Sequence, residues 1–477
     1  MTYAAEPKRF RSSRRPRHVV VIGAGPAGLV AAHELVRDGV AVTILERRSA
    51  LGGLGGTTAF EGRAGTYLFD FGGHRFITHN AELLALVEGL VGDDLLTAER
   101  RSVIRLAGRT YEYPLAIGNL LANAPPSLLA SAARDLAWTA IRRPSVDPEA
   151  DFATWTRARF GPTLYRTFFE GYTRKLWGIE PSALSGDWAE QRISLVDLKD
   201  VARRLLPGRH SGVRTYARAY RYPRLGFGMI FDRLAERVMA EGAQLRTGVT
   251  VTGLRVSGSA ISRVETDAGA FPCDAVVSTM PLPDMVRLTG GTCSLRFRGL
   301  RFFNVTMDVA DVSPFTWQYL SDPGIMATRL QEPKRRSPEM APAGRSSLML
   351  EIPCDPGDPL WGAEDEVLLP RIRHDLSRLG IDPAAMTGEF FSTRAATAYP
   401  LMVKGYERAR EAAFRRLEAI DNLVQCGRQG SFRYVFTDTA MEMGQLAARS
   451  LLEGADRRRA IRDHRNERVV IETESIA

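Results

Sequence analysis

Cysteine is scarce in this 477-residue chain: four occur (Cys273, Cys293, Cys354 and Cys426), far apart and never as a CxxC pair. That spacing excludes a zinc ribbon and a disulfide-dense scaffold, and it predicts a reducing, cytoplasmic setting. No run of about 18 uninterrupted apolar residues exists, so no transmembrane helix is expected. No Ser-His-Asp or metal-ligand spacing stands out, which sets hydrolase and metalloenzyme readings aside. Lysine is rare beside arginine, 5 against 59, a bias that fits a GC-rich genome. What is present is ordinary for a globular protein: 25% charged and 44% hydrophobic residues, in a chain long enough to bury a large core and to form about three domains.

The net charge of +9 is concentrated at the ends. Residues 1–17 hold Lys8, Arg9, Arg11, Arg14, Arg15 and Arg17 against Glu6 alone, and Arg457, Arg458, Arg459, Arg462, Arg465 and Arg468 cluster near the other terminus. The body between is close to neutral, so a nucleic-acid groove is not expected. Ser13-Arg14-Arg15 before an apolar stretch has the look of a twin-arginine signal, but cleavage there would destroy the motif that follows. Residues 1–17 and 456–477 are therefore expected to be basic tails, the first disordered.

His18–Ile22 is a short β-branched run, and Gly23-Ala24-Gly25-Pro26-Ala27-Gly28 follows at once. Leu29–Val36 then has a helical pattern, Gly39 ends it, and Val40–Leu45 is a second apolar strand. In such a unit Gly23 makes the tight turn, Gly25 lets backbone approach a pyrophosphate, and Gly28 lets helix pack on strand. The helix N-terminus offers N–H groups and a positive dipole end to the phosphates. Glu46 ends the second strand 18 residues after Gly28, where a carboxylate accepts both ribose hydroxyls and repels a 2′-phosphate. A dinucleotide site is expected, with Ala27, Arg47, Gly53 and Val249 beside it. Two further Gly-rich turns, Gly52-Gly53 and Gly72-Gly73-His74-Arg75, suit a cofactor longer than one pyrophosphate site. The Glu46-Arg47-Arg48-x-x-x-Gly52-Gly53 arrangement resembles FAD-binding proteins of the amine oxidase and glutathione reductase type. FAD is the cofactor this implies, with NAD the alternative.

Helical patterns fill 114–210 (Asn119–Leu129, Ala132–Ile141, Phe152–Phe160 and Thr163–Leu176), and strand patterns return at 301–310 and 347–353. The fold class expected is α/β with α+β admixture: a Rossmann-like FAD-binding domain interleaved with a helical and antiparallel-sheet substrate domain. Segments 18–105, 215–290 and 412–455 would build the first. Segment 106–214 would be a helical cap and 291–411 the substrate-domain sheet. Near the C-terminus, Leu423–Cys426, a Gly-rich loop from Gly427-Arg428 to Gly430, and a helix from Asp438 containing Met443 present another helix N-terminus. It would either face the pyrimidine end of a flavin or be an ordinary helix capped by Thr437 or Asp438.

Stretches in order along nearly the whole chain resemble the UDP-galactopyranose mutase branch of the amine oxidase and protoporphyrinogen oxidase superfamily. They are Phe71–Phe76, Gly171-Tyr172-Thr173-Arg174-Lys175-Leu176-Trp177-Gly178, Gln191-Arg192-Ile193, Pro223–Gly228, Ala398-Tyr399-Pro400, and Gly427-Arg428 followed by Phe432-Arg433-Tyr434. The resemblance implies redox-neutral chemistry through N5 of a reduced flavin at the anomeric carbon of a nucleotide sugar, primed by an external electron donor such as NAD(P)H or a reductase. It implies catalytic roles for His74, Arg192, Arg329 and Tyr399. Arg192, Arg329, Tyr399 and Tyr434 would hold the diphosphate, and Trp177 would stand near the substrate. Each also has a plainer reading: Arg192 and Arg329 as solvated arginines, Trp177 and Tyr399 as packing aromatics. The loop lacks the second histidine typical of bacterial mutases, and Phe432 stands where a tyrosine is expected. The competing function is an FAD oxidoreductase taking a hydride from an amine, alcohol or polycyclic molecule, with Trp317, Tyr319, Phe390 and Phe391 lining an apolar funnel. A non-catalytic flavin-binding partner subunit is the third class, and a homodimer is left open.

Overall fold

The computed structural model describes residues 15–113, 117–142, 147, 150–188 and 219–464. Arg192, the QRI string and most of the two basic ends lie outside the described residues.

The β-branched run His18–Ile22 is the centre of a five-stranded, all-parallel sheet in the order Leu423–Gln425, Ala275–Ser278, His18–Ile22, Ala41–Glu46, Gln244–Thr247. Burial on both faces explains why these strands are runs of Val, Ile and Leu instead of alternating patterns. Helix Pro26–Arg37 packs on one face with helices Met229–Ala240 and Thr437–Glu453. The chain leaves His18–Ile22 for a neighbour on one side and reaches the other side only at Ala275. Strand order therefore reverses at the carboxyl end of that strand, which opens a crevice beside Gly23.

The second layer is a seven-stranded sheet ordered Met386–Pro400, Phe297–Met307, Ser346–Pro353, Arg329–Gln331, Trp317–Leu320, Ser102–Leu106, Arg109–Glu112. Every pairing is antiparallel except Trp317–Leu320 on Ser102–Leu106. The expected boundary at residue 105 thus falls inside a strand, because the hairpin Ser102–Glu112 already belongs to this sheet. Helices Ile117–Asn123 and Pro126–Arg142 cover its end, broken by Pro125, which ends the first helix and starts the second. Phe152–Leu164 is kinked where Gly161 adopts φ +80° ahead of Pro162, and a π-helical turn, Tyr165–Glu170, joins it to Gly171–Trp177.

The basic stretch beginning at residue 456 is not a tail at its start. Arg458–Arg462 is a short helix anchored by fully buried Ile461, with Arg458 on Asp456 at 2.7 Å and Arg462 on Glu411 and Glu418 at 3.4 Å. Its cations have carboxylate partners within the fold, and its apolar residue has a core to enter. All four cysteines are free, and burial pushes the thiols of Cys273 and Cys426 up to about 12 and that of Cys354 to about 11. Among the described residues no helix is long and apolar enough to cross a membrane.

Candidate active site

A long cleft follows the carboxyl ends of the parallel strands. Glu46, Arg47 and Val249 line one end, Gly23, Gly25 and Ala27 the middle, and His74, Arg428 and Thr437 the other end. Gly23 takes φ +100° at the strand-to-helix turn, its N–H donating to the Leu45 carbonyl at 2.8 Å. A Cβ on Gly28 would collide with the Gly23 carbonyl oxygen, so the helix can close on the strand only with glycine there. Gly25 is different: a Cβ there would meet no protein atom within 4 Å, so this backbone faces the open cleft. Helix Pro26–Arg37 starts at that point with Gly25 as N-cap and no side chain capping it, leaving its first N–H groups for a ligand. The Glu46 carboxylate accepts from the Ala24 N–H at 2.8 Å and the Arg48 N–H at 2.9 Å, which fixes it at the cleft edge. Gly53 packs its bare Cα side toward Gly25. Open backbone at the middle and an oriented carboxylate at one end fit a dinucleotide lying along the cleft.

Gly427–Gly430 forms a single helical turn instead of the expected loop, and Gly427 sits with φ +78° against Ala27. The C-terminal helix begins at Thr437 with Phe436 as N-cap and no capping side chain, so the alternative of an ordinary helix capped by Thr437 or Asp438 is not what the structure shows. Its N-terminus faces the far end of the cleft. Met443 does not: it is fully buried among the helices, one turn beyond the cleft wall, and is corrected to a core residue.

At that far end the cleft shares Leu54, His74, Arg428, Val435, Phe436 and Thr437 with a second chamber. Gly73, Arg329, Tyr399, Tyr434 and Asp438 line this chamber too. His74 bonds the Phe71 carbonyl through Nε2 at 3.0 Å and stacks on Phe227 at 5.0 Å. The Pro223–Gly228 stretch supports it by turning against the Gly56-Thr57 backbone, with the Gly228 N–H on Thr57 Oγ1 at 2.8 Å. Burial lowers the His74 pKa, which favours the neutral ring at neutral pH. Asp438 is 3% exposed, its Oδ2 has no hydrogen-bond partner, and burial raises its pKa to about 7.

Arg329 is no solvated loop residue. Its Nε donates to Glu351 at 2.8 Å, and a second nitrogen donates to the Tyr399 hydroxyl at 2.6 Å. Glu351 is 1% exposed and also accepts from Gln331, whose amide oxygen accepts in turn from Arg336. Burial works to lower the Arg329 pKa, but the Glu351 carboxylate beside it outweighs this and holds the guanidinium pKa above its ordinary value, while burial pushes the Tyr399 phenol up. Tyr399 stacks on Tyr434 at 5.6 Å, and Arg428 lies over the Tyr434 ring at 4.2 Å. Trp177 is not on the chamber wall. It is 1% exposed behind Tyr399, ring centres 5.8 Å apart, and packs on Trp188, so the plainer packing reading holds for it. Trp317 and Tyr319 line the chamber, while Phe391 stacks on Phe60 and Phe390 on Phe303, away from it. Glu351, Gln331 and Arg336 gave no signal in the sequence beyond their residue type.

The family model for flavin-containing amine oxidoreductases matches residues 26–452. The chain belongs to this family. It is a flavoenzyme, and its cofactor is FAD. Relatives include the phytoene dehydrogenase of Streptomyces griseus, 28% identical over 76% of this chain and 80% of that protein. A probable UDP-galactopyranose mutase of Klebsiella pneumoniae is 27% identical over 35% of this chain, which spans less than half of that protein, 43%. Among solved structures, a reduced UDP-galactopyranose mutase superposes with a TM-score of 0.81 at 21% identity, covering 94% of this chain and 98% of the other. The mutase-like fold is thus common to nearly the whole length.

Proposed function

We propose that the protein is a mutase-type isomerase acting at the anomeric carbon of a nucleotide sugar. One observation carries this reading: the chamber joined to the His74 end of the cleft is walled by guanidinium and phenol groups, Arg329, Arg428, Tyr399 and Tyr434. A diphosphate leaving an anomeric carbon gains charge as its bond breaks, and fixed donors of this kind stabilise it. FAD held in the cleft and reduced by an external donor, NAD(P)H or a reductase, would supply a nucleophilic nitrogen for this chemistry. The chain does the rest. Glu46 would hold the ribose end, the N-terminus of Pro26–Arg37 the pyrophosphate, and the N-terminus of Thr437–Glu453 the pyrimidine end, where its dipole would favour the negative charge that reduction brings. Tyr399, fixed by Arg329, would present its hydroxyl to the phosphates, and neutral His74, bonded to the Phe71 carbonyl, would hold its loop beside the cofactor without adding charge. Asp438, poised near pH 7, holds or releases a proton at the same wall.

A second reading, hydride removal from a small molecule, is favoured by Trp317 and Tyr319 on the chamber and by the long match to a phytoene dehydrogenase. Titration of oxidised and dithionite-reduced protein with UDP-galactose and other nucleotide sugars separates the two. Binding confined to reduced protein supports the isomerase. Binding to neither form, with turnover of an amine or alcohol under oxygen, overturns it.

A further inference from the structure

We propose that the substrate carries an oxyanion, phosphate or carboxylate, that is received at the Trp317 end of the chamber by Arg336 and Arg75 together with the indole N–H of Trp317. This rests on the chamber being the substrate site.

The guanidinium carbons of Arg75, Arg100 and Arg336 lie 6.0, 5.8 and 5.9 Å from the Trp317 ring. Arg336 is 4% exposed and, among the described residues, forms no ion pair; one of its nitrogens donates to Gln331, the Tyr220 hydroxyl lies beside the guanidinium, and Nε and Nη1 meet no acceptor at hydrogen-bond geometry among those residues. Trp317 is 6% exposed, and its indole nitrogen likewise has none. A buried cation with unmet donors is strongly unfavourable unless an anion completes it. Cation–π attraction to one indole offsets only part of that, and the three like charges repel one another. The field of the same three arginines opposes the burial that raises the Tyr220 phenol, which places all of them around one point. The wall between Arg336 and the chamber is thin. Gly73 lines the chamber, and a Cβ there would come within 3.5 Å of the Arg336 guanidinium and 3.2 Å of the Gln331 oxygen. Arg329 is the contrast: its charge is already met by Glu351. The spare hydrogen-bonding capacity at this end of the chamber therefore belongs to Arg336 and Trp317.

The test is a titration of oxidised, FAD-saturated protein with inorganic phosphate and, separately, acetate at constant ionic strength, read by tryptophan fluorescence and melting temperature. Wild-type protein is expected to show saturable fluorescence change and stabilisation. Arg336→Gln is expected to weaken the apparent affinity about tenfold or more, with partial recovery in Arg336→Lys. A response to phosphate alone assigns a phosphoryl group, and a response to acetate alone a carboxylate; either sustains the proposal. Identical titrations of wild type and Arg336→Gln, or no response in wild type, overturn it. Should Arg336→Gln lose its flavin absorbance, Arg75→Gln takes its place with the same expectations. No sugar is used, so failure of nucleotide-sugar binding to reduced protein leaves this result standing, and the reverse also holds.

Discussion

Arg329 and Glu351 face each other across neighbouring strands, and both are buried. Removing one partner strands the other charge in a dry environment, so Arg329→Met is expected to cost about 3–5 kcal/mol of stability. The double variant Arg329→Met/Glu351→Leu should recover much of that, as measured by urea unfolding of all three proteins. Asp438 gives a pH signature. Its folded-state pKa is raised, so the stability it contributes is full below the unfolded carboxylate range, about 3.9, and is lost as pH rises through about 7. Urea midpoints of flavin-free wild type should fall relative to Asp438→Asn across that window; parallel profiles would contradict the assignment. Legibility at this scale divides by the origin of the requirement. Gly23, Gly25, Gly28 and Glu46 were legible because a tight turn, open backbone and a carboxylate are demanded by residues within one short unit. Glu351 was not, since its meaning comes from the register Arg329↔Glu351 between strands about twenty residues apart. Trp177 and Met443 were placed at the site from motif and position, whereas one lies a ring deeper and the other a helix turn further along.

Whole elements reach the cleft through glycine contacts. Gly444 of Thr437–Glu453 lies so close to Pro26–Arg37 that a Cβ would strike the Ala27 carbonyl oxygen. Gly444→Ala is expected to push the two helices apart, at about 1–3 kcal/mol, despite alanine's better helix propensity. A thermal melt should show the loss, and flavin should dissociate more readily because the displaced helix N-terminus borders the cleft. Strands were legible where the apolar run was unbroken, as in His18–Ile22. Helix ends were less so: hydroxyl and carboxyl side chains at Thr437 and Asp438 allowed a cap, but both residues lie inside the helix and line the chamber, with Phe436 at the cap position. The break between Ile117–Asn123 and Pro126–Arg142 follows Pro125, a local cause that the sequence states openly.

At the scale of the molecule, the alternation of strand and helix patterns was enough to expect two interleaved layers, but not which strands share a sheet. The hairpin Ser102–Glu112 looks like a continuation of the first domain until its parallel partner Trp317–Leu320 is known, a pairing more than two hundred residues away. The cleft is lined by residues from 22 to 440 and exists only in the folded chain, so melting temperature should climb with added FAD. An excess of about 100 times the dissociation constant corresponds to about 2.7 kcal/mol, checked by melting protein at stepped FAD concentrations.

The parallel sheet takes strands from residues 18–46, 244–278 and 423–425. No contiguous fragment contains all three without containing almost everything else. Yellow colour in the purified protein is therefore expected only where synthesis ran past residue 425 and the late strand docked beside the early ones. Prematurely terminated or clipped products will be pale, and a simple absorbance ratio will grade each preparation for completeness.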